Sequence, residues 1–526
     1  MMTNRKQLHE RLWAAAEQLR ANSSLKLNEI SEPILGLIFL KFADVRFKRA
    51  QEKIAEERKN NKGTRRQAPL TPDHYKSKGV LYLPEIATYS YLMSLPENKD
   101  IGKTINEAMK AIEAENTDLA GVLPQDYTSL SKKADENNRI LVTLLKNFNQ
   151  IPDDIEGDAF GGIYEYFLGE FARAEGAKGG EFFTAQPIVK LIVEILEPYH
   201  GKIFDPACGS GGMFVQSAHF VEAHAKNKTR VMNEVALYGQ EKTTANVHIA
   251  KMNLAIHGLS GKIAETNSYY EDPFQSVGKF DFVLANPPFN VKGKDKNKQI
   301  VIDQARLQGD PRYYLGLPLT GKKEISNANY LWMQIFASAL NAQGRAGFVM
   351  ANSATDAGNA EKVIRQKMVE AGIVDVILSV GTNMFLNATL SCTLWFFDKR
   401  KAGTKRQNKI LFINAQDIYT EIDRAHSTWT DEQIQEIAGI VRRYREEEGA
   451  GKYADIKGRS KVATLDEVRA NDYSLNPGRY VEIVDKEVSA VDFDAKMKEL
   501  MTEFTSLTEE SHKLEKKIIK DWKEVV

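Results

Sequence analysis

Cysteine is scarce in this 526-residue chain, and so are long apolar runs and any surplus of one charge. Two cysteines, Cys208 and Cys392, cannot make a disulfide framework or a cysteine-cluster zinc site. No metal site is expected, and a reducing cytoplasm is the simple location. No apolar stretch approaches the roughly 20 residues needed to span a bilayer. Met1-Met2-Thr3-Asn4-Arg5-Lys6 leads into charged amphipathic sequence rather than a signal peptide, so no membrane partner is expected. The chain carries 71 basic and 71 acidic residues. A protein that grips DNA alone usually has a basic balance. If DNA is the substrate, most of the phosphate grip must come from a local patch or a partner.

What is present falls into three stretches, 1–175, 176–480 and 481–526. The first reads as all-helical. Leu8, Leu12, Ala15, Ala16 and Leu19 recur at helical spacing, and Ile34 to Phe42 is apolar nearly all round, the mark of a buried centre. Glu52 to Arg66, followed by Pro69 and Pro72, reads as an exposed charged loop. Helical patterns resume at 101–113, 130–148 and 161–173. Gly176-Ala177-Lys178-Gly179-Gly180 then breaks the pattern like a hinge.

From there short apolar strands alternate with helices, the signature of a doubly wound α/β sheet. Strands are expected at 202–205, 235–240, 262–266, 280–285, 345–350, 373–380 and 391–397. Helices are expected at 186–197, 212–226, 242–257, 328–342 and 358–371. The short link from Gly381 to Leu390 makes the last two strands antiparallel neighbours. Beyond Ile410 the sequence is charged and mixed. In the third stretch Phe493, Met497, Leu500, Phe504, Leu507, Leu514 and Ile518 follow a heptad seam, with Ser511 at the skipped position. That helical tail needs a partner surface, either on its own chain or on another.

Chemistry concentrates at strand ends. Asp205-Pro206-Ala207-Cys208-Gly209-Ser210-Gly211-Gly212 is a Gly-rich turn after the first strand, where open α/β sheets bind ligands. Its G-x-G-G pattern disfavours a dinucleotide, and no Lys follows to hold a triphosphate. Gly316 to Lys323 nearly matches a phosphate loop, but Lys323 replaces the hydroxyl residue and no strand precedes it. Glu241, ending the second strand, suits two ribose hydroxyls. It also suits the N-terminus of the next helix. Glu181-Phe182-Phe183-Thr184-Ala185-Gln186 precedes Pro187, with Thr184 expected as an N-cap and the two rings as cofactor walls. Asn267, after the third strand, is a candidate adenine contact.

Roughly eighty residues past the Gly turn stands Asn286-Pro287-Pro288-Phe289. An exocyclic amine is a poor nucleophile, because its lone pair is delocalised into the ring. The Asn286 oxygen and the Pro287 carbonyl can accept its two hydrogens and aim the lone pair, Pro288 helps fix the turn, and Phe289 can stack on the ring. This is positioning and electrostatics rather than general-base work. Together the two turns point to methyl transfer from S-adenosyl-L-methionine, with Asp205 facing the cationic methionine end. Lys292, Lys294, Lys296 and Lys298 follow, as a solvated loop or as phosphate contacts.

With these residues in place, the chain resembles the modification subunit of type I restriction–modification systems, an adenine-specific DNA methyltransferase. The resemblance spans nearly the whole chain and includes Leu37 to Lys41, Asn327 to Trp332 and Leu475 to Tyr480. It implies a class I methyltransferase fold with a Rossmann-like seven-strand sheet. It implies cofactor contacts at Glu181–Gln186, Ser210, Gly211, Gly212 and Glu241, and a flipped-out adenine in double-stranded DNA as substrate. It also implies a separate DNA specificity subunit, a second copy of the same chain, and a nuclease-translocase restriction subunit. Guanine-amine RNA or protein-glutamine methyltransferases remain alternatives, since both can use Asn-Pro-Pro-aromatic turns. A structural subunit with a relic cofactor site is the non-enzyme alternative.

Overall fold

The computed structural model describes all residues except 1, 22–25, 61–69, 97–98, 135–138, 153–158, 176–183, 225–233, 385–390, 424–425, 483–489 and 526. The expected hinge at 176–180 and the segment Glu181-Phe182-Phe183 lie outside the described residues. The chain divides into two units, Met1–Val481 and Glu482–Val526.

The first unit begins with helices α1 (Met2–Ala21), α2 (Leu27–Asn60), α3 (Pro72–Lys76), α4 (Tyr89–Met93), α5 (Ile101–Glu115), α6 (Tyr127–Ala134), α7 (Arg139–Asn149) and α8 (Ala159–Glu175). They surround α2, whose Ile34, Leu37, Ile38, Phe39 and Leu40 are fully buried. The expected loop from Glu52 to Arg66 is helical where it is described: α2 continues to Asn60, and 61–66 lie outside the described residues. Good helix formers such as Glu, Lys and Ala fill this part, and Ile54 is buried as an anchor.

The sheet follows. Its elements in order are α9 (Gln186–Leu196), β1 (Gly201–Asp205), α10 (Gly212–His224), β2 (Val235–Glu241), α11 (Thr244–Ile256), β3 (Gly261–Glu265), β4 (Phe280–Ala285), α12 (Asn329–Ala339), β5 (Leu340–Ala351), α13 (Asn359–Glu370), β6 (Val374–Val380), β7 (Cys392–Asp398), β8 (Lys409–Ala415), β9 (Thr420–Asp423), β10 (His426–Thr428), α14 (Asp431–Tyr444), β11 (Ser460–Thr464) and α15 (Leu465–Ala470). Strand order in the main sheet is β11-β8-β6-β7-β5-β4-β1-β2-β3. From β3 to β6 this is the expected seven-strand arrangement, with β7 antiparallel to both β5 and β6. The sheet then extends past the expected edge. β8 runs parallel to β6, and β11 pairs antiparallel with β8, giving nine strands among the described residues. One boundary also shifts: α12 ends at Ala339 and the next residue already begins β5. Leu340 pairs with Phe280 there, so sheet pairing overrides the helical pattern.

Alternate residues of one strand enter opposite cores, so these strands read as continuous apolar runs. Ile203, Phe282 and Leu284 face the layer of α9, α10 and α14, while Phe204, Val283 and Ala285 face α12 and α13. Helix α11 joins the two parts of the unit, because its Met252 and Ile256 belong to the helical core and its Leu254 to the sheet core. The His248–Glu32 contact, at 2.9 Å, lies along the same seam.

The second unit is one helix, α16 (Ala490–Val525). The heptad positions Met497, Leu500, Phe504, Leu507, Leu514 and Ile518 are between 43% and 67% exposed.

Candidate active site

β1 lies between β2 and β4, where the chain stops adding strands on one side and starts on the other. The carboxyl ends of β1 and β4 meet at this switch point, which brings the Gly turn beside the Asn-Pro-Pro-Phe turn. Gly209 and Gly211 adopt φ of 50° and 79°, which favours glycine. Second-row contacts hold the turn. The Cys208 N–H donates to the Gln240 carbonyl at 3.0 Å. The Asn253 side chain on α11 donates to the Ser210 carbonyl at 2.9 Å. Gly239 lies beneath, and a Cβ there would stand 2.9 Å from Cys208 Sγ.

Two carboxylates flank the turn. Asp205 is 1% exposed, and its Oδ1 accepts the Ala207 N–H at 3.0 Å. Burial, with the nearby Glu241 charge adding, pushes its pKa up to about 8 against the partial relief of that hydrogen bond. Glu241 uses one oxygen for the Gly209 N–H at 3.2 Å and the other for the Thr243 N–H at 2.9 Å. It thus clamps the Gly turn and sits at the entry to α11, the helix N-terminal place its position suggested.

Asn286 donates from Nδ2 to Thr184 Oγ1 at 2.9 Å. Its Oδ1 is buried with no hydrogen-bond partner among the described residues. Such orphans are costly, and this one faces the cavity. Thr184 is therefore not the N-cap: Ala185 holds that position, with no side-chain cap, and Pro187 sits in the first turn. Asn290, next after Phe289, adopts φ of 56°. Asn329 Nδ2 donates to Asn290 Oδ1 at 3.0 Å, and the Asn290 N–H donates to Asn329 Oδ1 at 2.9 Å. This reciprocal pair ties the Asn-Pro-Pro-Phe turn to the start of α12.

Thr184, Asp205, Ser210, Gly212, Glu241, Asn267, Asn286 and Pro288 all line one cavity of about 360 Å³. That volume suits a cofactor-sized ligand. Five other candidates do not line it. Ala185 caps α9, and Gln186 donates to Glu165 on α8. Gly211 shapes the turn, and Pro287 is buried. Phe289 is half-buried and packs on both sheet cores. Asn267 lines the cavity, but its oxygen accepts the Tyr269 N–H at 3.1 Å. Tyr269 and Trp332 also line it, with rings 4.8 Å apart. Tyr269 Oη and Trp332 Nε1 are both buried, and the indole N–H interacts with the phenol oxygen. Single aromatic residues carried no local signal of that role. Among the described residues, no cluster of three or more His, Cys, Asp or Glu could hold a metal ion.

Residues 155–488 match the N-6 DNA Methylase family, and residues 8–148 match the HsdM N-terminal domain. The chain belongs to the methylase subunits of type I restriction enzymes. The methylase is 36% identical to the type I restriction enzyme MjaIX methylase subunit of Methanocaldococcus jannaschii, over 97% of this chain and 90% of that protein. It is 34% identical to the HindI methylase subunit of Haemophilus influenzae, over 80% of this chain and 92% of that protein. In fold it is similar to a type I restriction-modification methyltransferase subunit from Streptococcus thermophilus. The TM-score is 0.72 at 22% identity, covering 91% of this chain and 100% of that one. The methylase thus has a class I methyltransferase fold and is an N6-adenine DNA methyltransferase by family. No helix among its described residues is long and apolar enough to cross a membrane.

Proposed function

We propose that this methylase transfers the methyl group of S-adenosyl-L-methionine to the exocyclic amine of an adenine turned out of duplex DNA. The observation that carries the reading is the orphaned Asn286 oxygen at the wall of the cavity that Asp205 and Glu241 share. When bound, the cofactor supplies a methyl group activated by a sulfonium cation.

The residues fit that group. Asp205 is a buried acid with no cation paired to it among the described residues, and a cationic methionine end would stabilise its carboxylate. Glu241 retains acceptor capacity for ribose hydroxyls beyond its two backbone bonds. A Cβ added at Gly212 would meet nothing within 4 Å, so the backbone there leaves open space at the cavity wall. Asn286 and the Pro287 carbonyl accept the amine hydrogens, and Phe289 supplies the stacking surface. Neither acceptor titrates near neutral pH, so the amine keeps its hydrogens until its nitrogen has bonded to carbon.

In this reading residues 1–175 and 481–526 serve assembly, and 176–480 serve chemistry. A separate specificity subunit selects the sequence, joined by a second copy of this chain. A nuclease-translocase subunit adds restriction. The exposed seam of α16 and the neutral overall charge support that division. The test is labelled S-adenosyl-L-methionine with duplex DNA, with and without a co-expressed specificity subunit. Label on adenine is expected with it. Label on RNA or protein but not on adenine overturns the proposal.

A further inference from the structure

The segment after the catalytic turn is a built hairpin rather than a loose lysine loop. Lys294 and Ile300 form an antiparallel bridge. The Asp295 N–H donates to the Gln299 carbonyl at 3.0 Å, and the Val301 N–H to the Gly293 carbonyl at 2.9 Å. The Asp295 carboxylate turns onto its own loop, accepting the Asn297 and Gln299 N–H groups at 2.8 Å each. The Gly293 N–H is tied to the Ile325 carbonyl at 3.0 Å, and a Cβ at Gly293 would meet that oxygen at 2.8 Å. Ile302 is buried in the sheet core and anchors the returning arm.

Three features of its surface belong together. Val301 lines the cavity that holds Asn286, so the hairpin forms the cavity rim. The adjacent Ile300 is 66% exposed. Residues 291–306 hold five basic side chains (Lys292, Lys294, Lys296, Lys298 and Arg306) against two acidic ones (Asp295 and Asp303), in a chain whose net charge is zero. Of these, Lys294 is neutralised by Glu324 at 2.7 Å, and Arg306 lies over the Tyr270 ring at 3.8 Å. Lys292, Lys296 and Lys298 are exposed.

We infer that this hairpin is the duplex-opening element of the active site: Lys292, Lys296 and Lys298 meet phosphates beside the target, and Ile300 fills the stacking gap left by the extruded base. The inference rests on the proposed reaction at adenine in DNA. An apolar side chain held rigidly among cations, next to the cavity that receives the base, has the composition of a wedge that enters base steps. Lone exposed apolar residues are common and carry nothing by themselves. The rim position and the local charge give this one a committed occupant, duplex DNA.

The experiment uses the full-length chain assembled with its specificity subunit. The DNA carries the recognition sequence mapped from methylated plasmid. Two duplexes are compared, one with the target adenine paired and one with it opposite an abasic site. Ile300→Ala is expected to slow methylation of the paired duplex about tenfold and to recover on the unpaired one, where extrusion costs less. Lys296→Ala with Lys298→Ala is expected to reduce the salt-dependence slope of binding by about 0.9 per lost phosphate contact. Ile300→Ala within twofold of wild type on the paired duplex, or equally slow on both, overturns the wedge. An unchanged salt slope overturns the phosphate contacts. Wild-type protein that leaves DNA adenine unmethylated overturns the reaction itself, and this inference with it.

Discussion

Asn286 and Thr184 are joined by a 2.9 Å hydrogen bond that leaves the asparagine's oxygen as its unpartnered atom. The bond links the exit of β4 to the entry of α9, and it fixes the carboxamide plane at the cavity wall. Asn286→Ala is expected to lower methyl transfer by about a hundredfold or more, since preorganised polar groups contribute on that scale. Cofactor affinity, read by calorimetry, should stay within about threefold of wild type. Thr184→Val should lower kcat by about tenfold through lost positioning, and Thr184→Ser should restore it. A valine variant with wild-type kcat would show that the bond is incidental.

Asp205 should make cofactor binding depend on pH. With its pKa pushed up to about 8, the cofactor-free folded chain holds a proton there that the unfolded chain releases above the ordinary 3.8. Ionisation of this group therefore costs the cofactor-free fold stability as pH rises through that window. A cationic ligand pairs with the carboxylate, so binding releases the proton at lower pH. Affinity should rise with pH between 6 and 7.5 by about tenfold per unit, the limit for one coupled proton. Titrations in buffers of different ionisation enthalpy should count that proton, and Asp205→Asn should flatten the slope.

Two glycines should separate binding from stability. A Cβ at Gly239 would stand 2.7 Å from Ile263 Cδ1 and 2.9 Å from Cys208 Sγ. Gly239→Ala should therefore cost about 1–3 kcal/mol of stability by overpacking. A Cβ at Gly212 meets nothing within 4 Å. Gly212→Ala should leave the thermal midpoint unchanged while raising the cofactor Kd about tenfold, through a methyl group set against the ligand.

The network at the far ends of β6 and β7 should matter for folding only. Arg445 Nε meets Asp375 Oδ2 at 3.1 Å, and Arg406 bridges Asp375 and Asp398 at 2.7 and 3.1 Å. Burial pushes the Asp375 carboxyl up, but Arg445, Lys401 and Arg406 outweigh it and hold the group below its usual range. Arg445→Met should cost about 3 kcal/mol by removing one of the cations that hold the buried Asp375 carboxylate. Denaturant unfolding checks this, with kcat of the folded fraction unchanged.

Removing residues after Phe493 should abolish assembly with the specificity subunit and leave the unfolding of the first unit unchanged. Size-exclusion chromatography with light scattering reads the first, and calorimetry the second. A truncated chain that still assembles refutes the role given to α16.

Local pattern determined much of this protein. Apolar runs bounded by turn residues place β1, β2, β4, β6 and β7 to within a few residues, because a strand buried inside the sheet is largely apolar throughout. The Gly turn and Asn286 were legible because backbone freedom and amide chemistry belong to single residues. Contacts between distant segments were not. Thr184 looked like a cap until the sheet set Asn286 beside it. Gln186 meets Glu165 on α8, a contact that no local pattern shows. β8 and β11 carry too little local signal amid charged sequence, and pairing with β6 decides them. Asn329 and Trp332 on α12, and Tyr269 after β3, meet at the site only because the topology brings those segments beside the end of β4. Propensity and periodicity act over a few neighbours, whereas an active site is set by which strand ends the topology brings to one place.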